Sequence, residues 1–127
     1  MLLTIAALGM LSYGAYEVVW AIVDVIRGAR LELWAEFGLM LFGVLLVLAA
    51  AFVRVRLPGG LAFAIGSLLG LQALAVHNAA HVDAGLAPQV GRGILAAVLV
   101  VLAYAGTITD ARIERVPRGP GSDRAST

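Results

Sequence analysis

Four long apolar stretches, separated by short polar ones, set the pattern of this chain. The pattern predicts four helices, at about 2–25, 33–53, 60–82 and 88–109. Each is close to the roughly 20 residues that a helix needs to cross a bilayer. The breaks between them are chemically distinct. Arg27-Gly28-Ala29-Arg30 is polar; Arg54-Val55-Arg56 leads into the turn formers Pro58-Gly59-Gly60; Asp83 to Ala87 forms the last link. Pro88 is expected at the first helical position, where its missing N–H costs nothing. The resulting fold class is all-α: an integral membrane four-helix bundle, up-down-up-down, spanning residues 1–109. Residues 110–127 are polar, with Pro117, Gly119, Pro120 and Gly121, and are expected to form a largely disordered tail.

At about 100° per residue, the faces of these helices can be compared. In helix one, Leu3, Ala6, Met10, Tyr13, Gly14, Ala21 and Asp24 share the face of Glu17. That face is small or polar and is expected to line the bundle interior. In helix three, Gly59, Phe63, Gly66, Gly70, Leu74, His77 and His81 share a face, with Asn78 beside it and Gln72 opposite. Gly66 and Gly70 form a GxxxG pair suited to close helix packing, so this face is expected to look inward. Glu32 and Glu36, one turn apart at the start of helix two, are expected to be solvated and to favour the helix dipole. Gly43 lies on the Glu36 face and permits close packing. Tyr16, Trp20 and Trp34 suit the interfacial belt. Arg92 is expected to snorkel, or to pair with Asp83 or Glu32.

Composition narrows the class. Of 127 residues, 61% are hydrophobic and only 13% charged, and the mean hydropathy is +0.97. A soluble domain is nearer one quarter charged, so a multi-pass membrane protein with the lipid bilayer as its first partner is expected. With no cysteine, disulfides and thiolate metal sites are excluded. The net charge of +1, without a basic stripe, points away from nucleic acid. The N-terminus has no basic n-region, so the first stretch is expected to stay as a membrane helix rather than be cleaved. Arg54, Arg56, Arg112, Arg115, Arg118 and Arg124 fall on one side of the predicted bundle, and Arg27, Arg30 and Arg92 on the other. The positive-inside rule then places both termini in the cytoplasm.

One consequence of this topology is a polar end. Glu17, Asp24, His77 and His81 gather in the outer half, with Glu32, Glu36, Asp83 and Arg92 at the same surface. A pocket built from Glu17, His77, Asn78 and His81 would take a small ligand or cation. His77 and His81, at i and i+4, with Asp83 or Glu17, would suit a divalent metal ion such as zinc or copper. Hydrogen bonding of the histidines at the membrane boundary is the structural alternative. Glu17 is also a candidate proton site, exchanging a proton for a cation, or a member of a plain ion pair. No Ser-His-Asp order, phosphate loop or HExxH motif appears, so catalysis is not expected.

Two resemblances bear on this. The plan, with His77-Asn78-Ala79-Ala80-His81 at the end of helix three, resembles small DoxX-like four-helix membrane proteins of high-GC bacteria. That resemblance covers most of residues 1–109 and implies a fold and a bacterial inner-membrane location, but no activity. Gly14-x-x-Glu17-Val18-Val19-Trp20-Ala21 and Pro58-x-Gly60-x-Ala62-Phe63-Ala64-Ile65 are similar to the first and third helices of the small multidrug resistance family. This second resemblance implies a dimeric, proton-coupled exporter of small cations with Glu17 as its exchange site. Gly66 stands where that family carries a functional tryptophan, and His77 and His81 are foreign to it. A third possibility is an accessory subunit of a membrane complex, with a purely structural polar cluster.

Overall fold

The structure, a computed structural model, describes residues 1–28, 33–81 and 86–114. For residues 81, 86, 110 and 112–114 it describes the backbone alone. All regular structure within these residues is helical: α1 (Leu2–Arg27), α2 (Leu33–Arg54), α3 (Gly60–His81) and α4 (Leu86–Glu114). Each contains a stretch long and apolar enough to cross a membrane. These are the features of a small multi-pass membrane protein.

The helix ends follow from local chemistry. Gly28 sits in the left-handed region at φ 65°, and its N–H reaches back to the carbonyls of Asp24 and Val25. A residue without a Cβ takes this cap at no steric cost. α2 closes by the same device with a less suitable residue. Arg56 has φ 57°; its N–H donates to Val53 O at 3.3 Å, and that of Leu57 donates to Phe52 O at 2.9 Å. The Pro58-Gly59-Gly60 turn falls where it was expected. α4 begins two residues before Pro88, which therefore occupies the first turn rather than the first position. Its missing N–H would have no intrahelical acceptor there either. α4 also runs on to Glu114, past the expected end at Thr109, whereas residues 115–127 of the expected tail lie outside the described residues.

Within the bundle, α1 touches α2 and α4, and α3 touches the same two helices. α1 and α2 meet backbone to backbone, where a Cβ on Gly14 would lie 2.7 Å from the Gly43 carbonyl oxygen. Leu3 packs at Gly106 and Leu99 at Gly9, so α1 and α4 run antiparallel. Met10, Leu46 and Leu71 are the largest fully buried side chains. Around them lie Leu3, Ala6, Ala49, Ala64, Leu99 and Ala103, in one cluster drawn from all four helices. The outer surface is apolar as well: Ile5, Leu8, Leu41, Leu48, Leu69 and Val101 are all exposed. An interior of small residues with large apolar residues outside is how helices associate in lipid, where packing rather than water exclusion holds them.

The α1 face expected to be interior is buried: Leu3, Ala6, Met10, Tyr13, Gly14, Glu17 and Ala21. For α3 the expected face is turned. Its buried positions are Gly60, Ala64, Ser67, Leu68, Leu71, Ala75 and Ala79. The stripe of Phe63, Gly70, Leu74 and His77 instead lies against α2. Phe63 meets Phe52 at a ring separation of 5.7 Å, and a Cβ on Gly70 would come within 2.4 Å of the Phe42 ring. Leu74 fills the space over Gly38. Gly66 is exposed, and among the described residues no neighbouring helix lies within 4 Å of where a Cβ would be. Only Gly70 of the GxxxG pair therefore packs within the chain.

Candidate functional site

Polar side chains collect where α1 finishes and α2 begins, as far from the termini as the helices reach. The centre is an ion pair between Arg92 of α4 and Glu17 of α1. Glu17 is 4% exposed and the Arg92 side chain 29%. Nε of Arg92 also donates to the Tyr13 hydroxyl at 3.4 Å. One guanidinium thus serves both polar groups on the buried α1 face. The small residues of α1 let α4 approach closely enough for this contact. Arg92 had been expected to snorkel, or to pair with Asp83 or Glu32, which lie outside the described residues; among the described residues its carboxylate partner is Glu17, 75 residues away in sequence. Periodicity gives the face of each residue but not which helices become neighbours, so this pairing was not readable.

Beside the ion pair lies a cavity of about 310 Å³, open on one side. α1 supplies Tyr16, Glu17, Trp20 and Asp24; α3 supplies Asn78; α4 supplies Gln89 and Arg92. Tyr16 and Trp20 meet edge to face, with ring centroids 6.1 Å apart. Both rings are also partly exposed on the outer surface, which is compatible with the expected belt position. Gln89 brings an amide oxygen that is buried and has no hydrogen-bond partner among the described residues.

The expected pocket of Glu17, His77, Asn78 and His81 is therefore only partly assembled. Glu17 and Asn78 share the cavity. His77 does not line it; its ring lies against Trp34 of α2, with centroids 5.0 Å apart and planes at 52°. The two residues are adjacent in sequence but point to different neighbours, because one helical step turns about 100°. The His81 side chain and Asp83 lie outside the described residues, so the proposed histidine–carboxylate metal site falls there. Among the described residues no group of three or more His, Asp or Glu side chains is placed to hold a metal.

Glu36 is the residue most misjudged from sequence. It was expected to be solvated at the start of α2, yet it is 3% exposed. It packs in the α1–α2 seam with Ala21, Val25 and Met40, beside a second cavity of about 140 Å³. Among the described residues, neither of its carboxylate oxygens has a hydrogen-bond partner. The available signal was Gly43, two turns along on the same face. Gly43 marks the side on which α1 closes in. Gln72, which was placed opposite the histidine face, lines an apolar groove between α3 and α4 with Ile65, Gly93 and Val100.

Comparison with family models, with curated proteins and with solved structures gives no match to this chain.

Proposed function

We propose that this protein is a non-enzymatic, multi-pass protein of the bacterial inner membrane that binds a small organic cation in the cavity beside Glu17 and Arg92. Both termini are cytoplasmic in this reading, in an up-down-up-down bundle, because the larger share of arginines lies with them. The cavity then opens outward. One observation carries the ligand class: Arg92 is committed to Glu17, which leaves Asp24 as the remaining charge among the described residues of the cavity, along with Tyr16 and Trp20. A carboxylate that lines the same cavity as two aromatic rings is a setting for an ammonium group, held by charge and by cation–π attraction. Asn78 and Gln89 add hydrogen-bonding amides that can orient a polar substituent. Exchange at Glu17, as the multidrug-exporter resemblance implies, loses support from the same ion pair, since a cation arriving there would have to displace a guanidinium. Asp24 takes its place as the cation-facing carboxylate.

The test uses choline and its uncharged isostere 3,3-dimethylbutan-1-ol, titrated calorimetrically into purified protein in lipid nanodiscs. Choline is expected to bind, the isostere not, and Asp24→Asn to abolish binding while the protein still folds. Equal affinity for the two compounds would contradict the reading.

A further inference from the structure

Glu36 has no role in the cavity at Asp24. It lines the smaller one, of about 140 Å³, in the α1–α2 seam. The other walls there are Ala21, Ile22, Val25, Ile26, Phe37 and Met40, so Glu36 is the single polar side chain among the described residues of the lining. It is 3% exposed, and neither carboxyl oxygen has a hydrogen-bond partner among the described residues. Burying a polar group without a partner costs free energy, and the surrounding aliphatic and aromatic walls have no donor to offer. A carboxyl group accepts hydrogen bonds in either protonation state. A molecule that brings one donor to Glu36 and apolar surface to the other walls matches the lining in both respects.

Size and access narrow the class of molecule. A dry cavity of about 150 Å³ lined by Leu, Ile and Phe holds benzene, so this one has room for a single ring. Ile22, Val25, Ile26 and Phe37 are exposed on the outer surface of the bundle, which in a membrane is the lipid side. The seam lies near the end of α1 at Arg27 and the start of α2 at Leu33. That is the depth at which a molecule with one apolar and one polar end settles. We propose that the α1–α2 seam binds a small amphiphile of the phenol class, one apolar ring with one hydroxyl, which enters from the lipid and donates its O–H to Glu36. The ring takes the place of solvent against Ile22, Val25 and Phe37, and the hydroxyl gives the buried carboxyl group a partner. This site is separate from the cation cavity at Asp24 and does not rest on it.

The test compares 4-fluorophenol with fluorobenzene, which lacks only the hydroxyl. Each is titrated into the full chain in lipid nanodiscs and followed by fluorine NMR, with empty nanodiscs as the reference for simple partition into lipid. Wild type should show saturable binding of 4-fluorophenol, at least about tenfold tighter than that of fluorobenzene, the difference one hydrogen bond to a buried acceptor makes. Glu36→Met keeps an unbranched side chain of similar size without the acceptor, and should lose that preference while still admitting the ring. Glu36→Gln keeps a carbonyl acceptor in the same place and should retain the preference. Asp24→Asn, in the other cavity, should leave it unchanged. Circular dichroism checks that each variant folds; should Glu36→Met fail to fold, Glu36→Leu takes its place. No saturable binding beyond empty nanodiscs would overturn the site. So would a preference that persists without the Glu36 acceptor, or one that disappears in Asp24→Asn.

Discussion

The two ends of this bundle are built from the same four helices but by opposite rules. Toward the termini, the interior is Leu3, Ala6, Leu46, Ala49, Ala64, Leu99 and Ala103, and fit alone holds it. Toward the α1–α2 link, the interior contains Glu17, Glu36 and part of Arg92, beside an open cavity. Apolar side chains are in abundant supply here, so the polar set is not forced by composition. Buried charge in a membrane helix costs several kcal/mol unless it is paired. Among the described residues Glu17 is paired and Glu36 is not. The paired one fixes α4 against α1.

The sharpest break in the comparison is at the ion pair. We expect Arg92→Met to destabilise the protein by about 3–5 kcal/mol, because Glu17 is left buried without a partner. The double variant Glu17→Leu/Arg92→Met should recover most of that loss, as measured by reversible unfolding in mixed micelles. If the single and double variants were equally unstable, the pair would not be the cause. At the α1–α2 seam, Gly14→Val should cost about 1–3 kcal/mol, since its Cβ meets the Gly43 backbone at 2.7 Å. Gly66→Val, with open space at the same point, should cost about 0.5 kcal/mol or less. Chemical crosslinking in membranes then separates a lipid-facing Gly66 from one that contacts a second copy: a change in crosslinked dimer yield in the valine variant would show contact. The smallest effect is a gain. Arg56 holds a left-handed conformation, so Arg56→Gly should raise stability by about 1 kcal/mol, read as a higher midpoint of thermal unfolding.

How legible these features were depended on what each one rests on. The four spans were legible because length and hydropathy are properties of single segments. The interior face of α1 was legible too, because Glu17 and Tyr13 single it out from an otherwise apolar helix. α3 offered no comparable mark between Gly60 and Val76 beyond Ser67 and Gln72. Its glycines suggested an interior that proved to face α2 at Gly70 and the outside at Gly66. Glu36 and Arg92 show the deeper limit. Whether a charged residue near a helix end is solvated or buried depends on the neighbouring helix. Ala21 and Val25 cover Glu36, and Glu17 receives Arg92, but neither partner is encoded in the periodicity of the residue's own helix. Asn78 lines the cavity with Glu17, whereas the ring of His77, one step earlier, lies against Trp34.

The most direct test sets Asp24 against the ion pair. Choline affinity would be measured calorimetrically for wild type, Asp24→Asn and the double variant Glu17→Leu/Arg92→Met, all in nanodiscs. If Asp24 is the cation-facing carboxylate, Asp24→Asn loses at least about tenfold in affinity, equivalent to about 1.4 kcal/mol, and the double variant stays close to wild type. If instead the double variant loses binding and Asp24→Asn keeps it, Glu17 is the cation site and the assignment of roles between the two carboxylates is wrong.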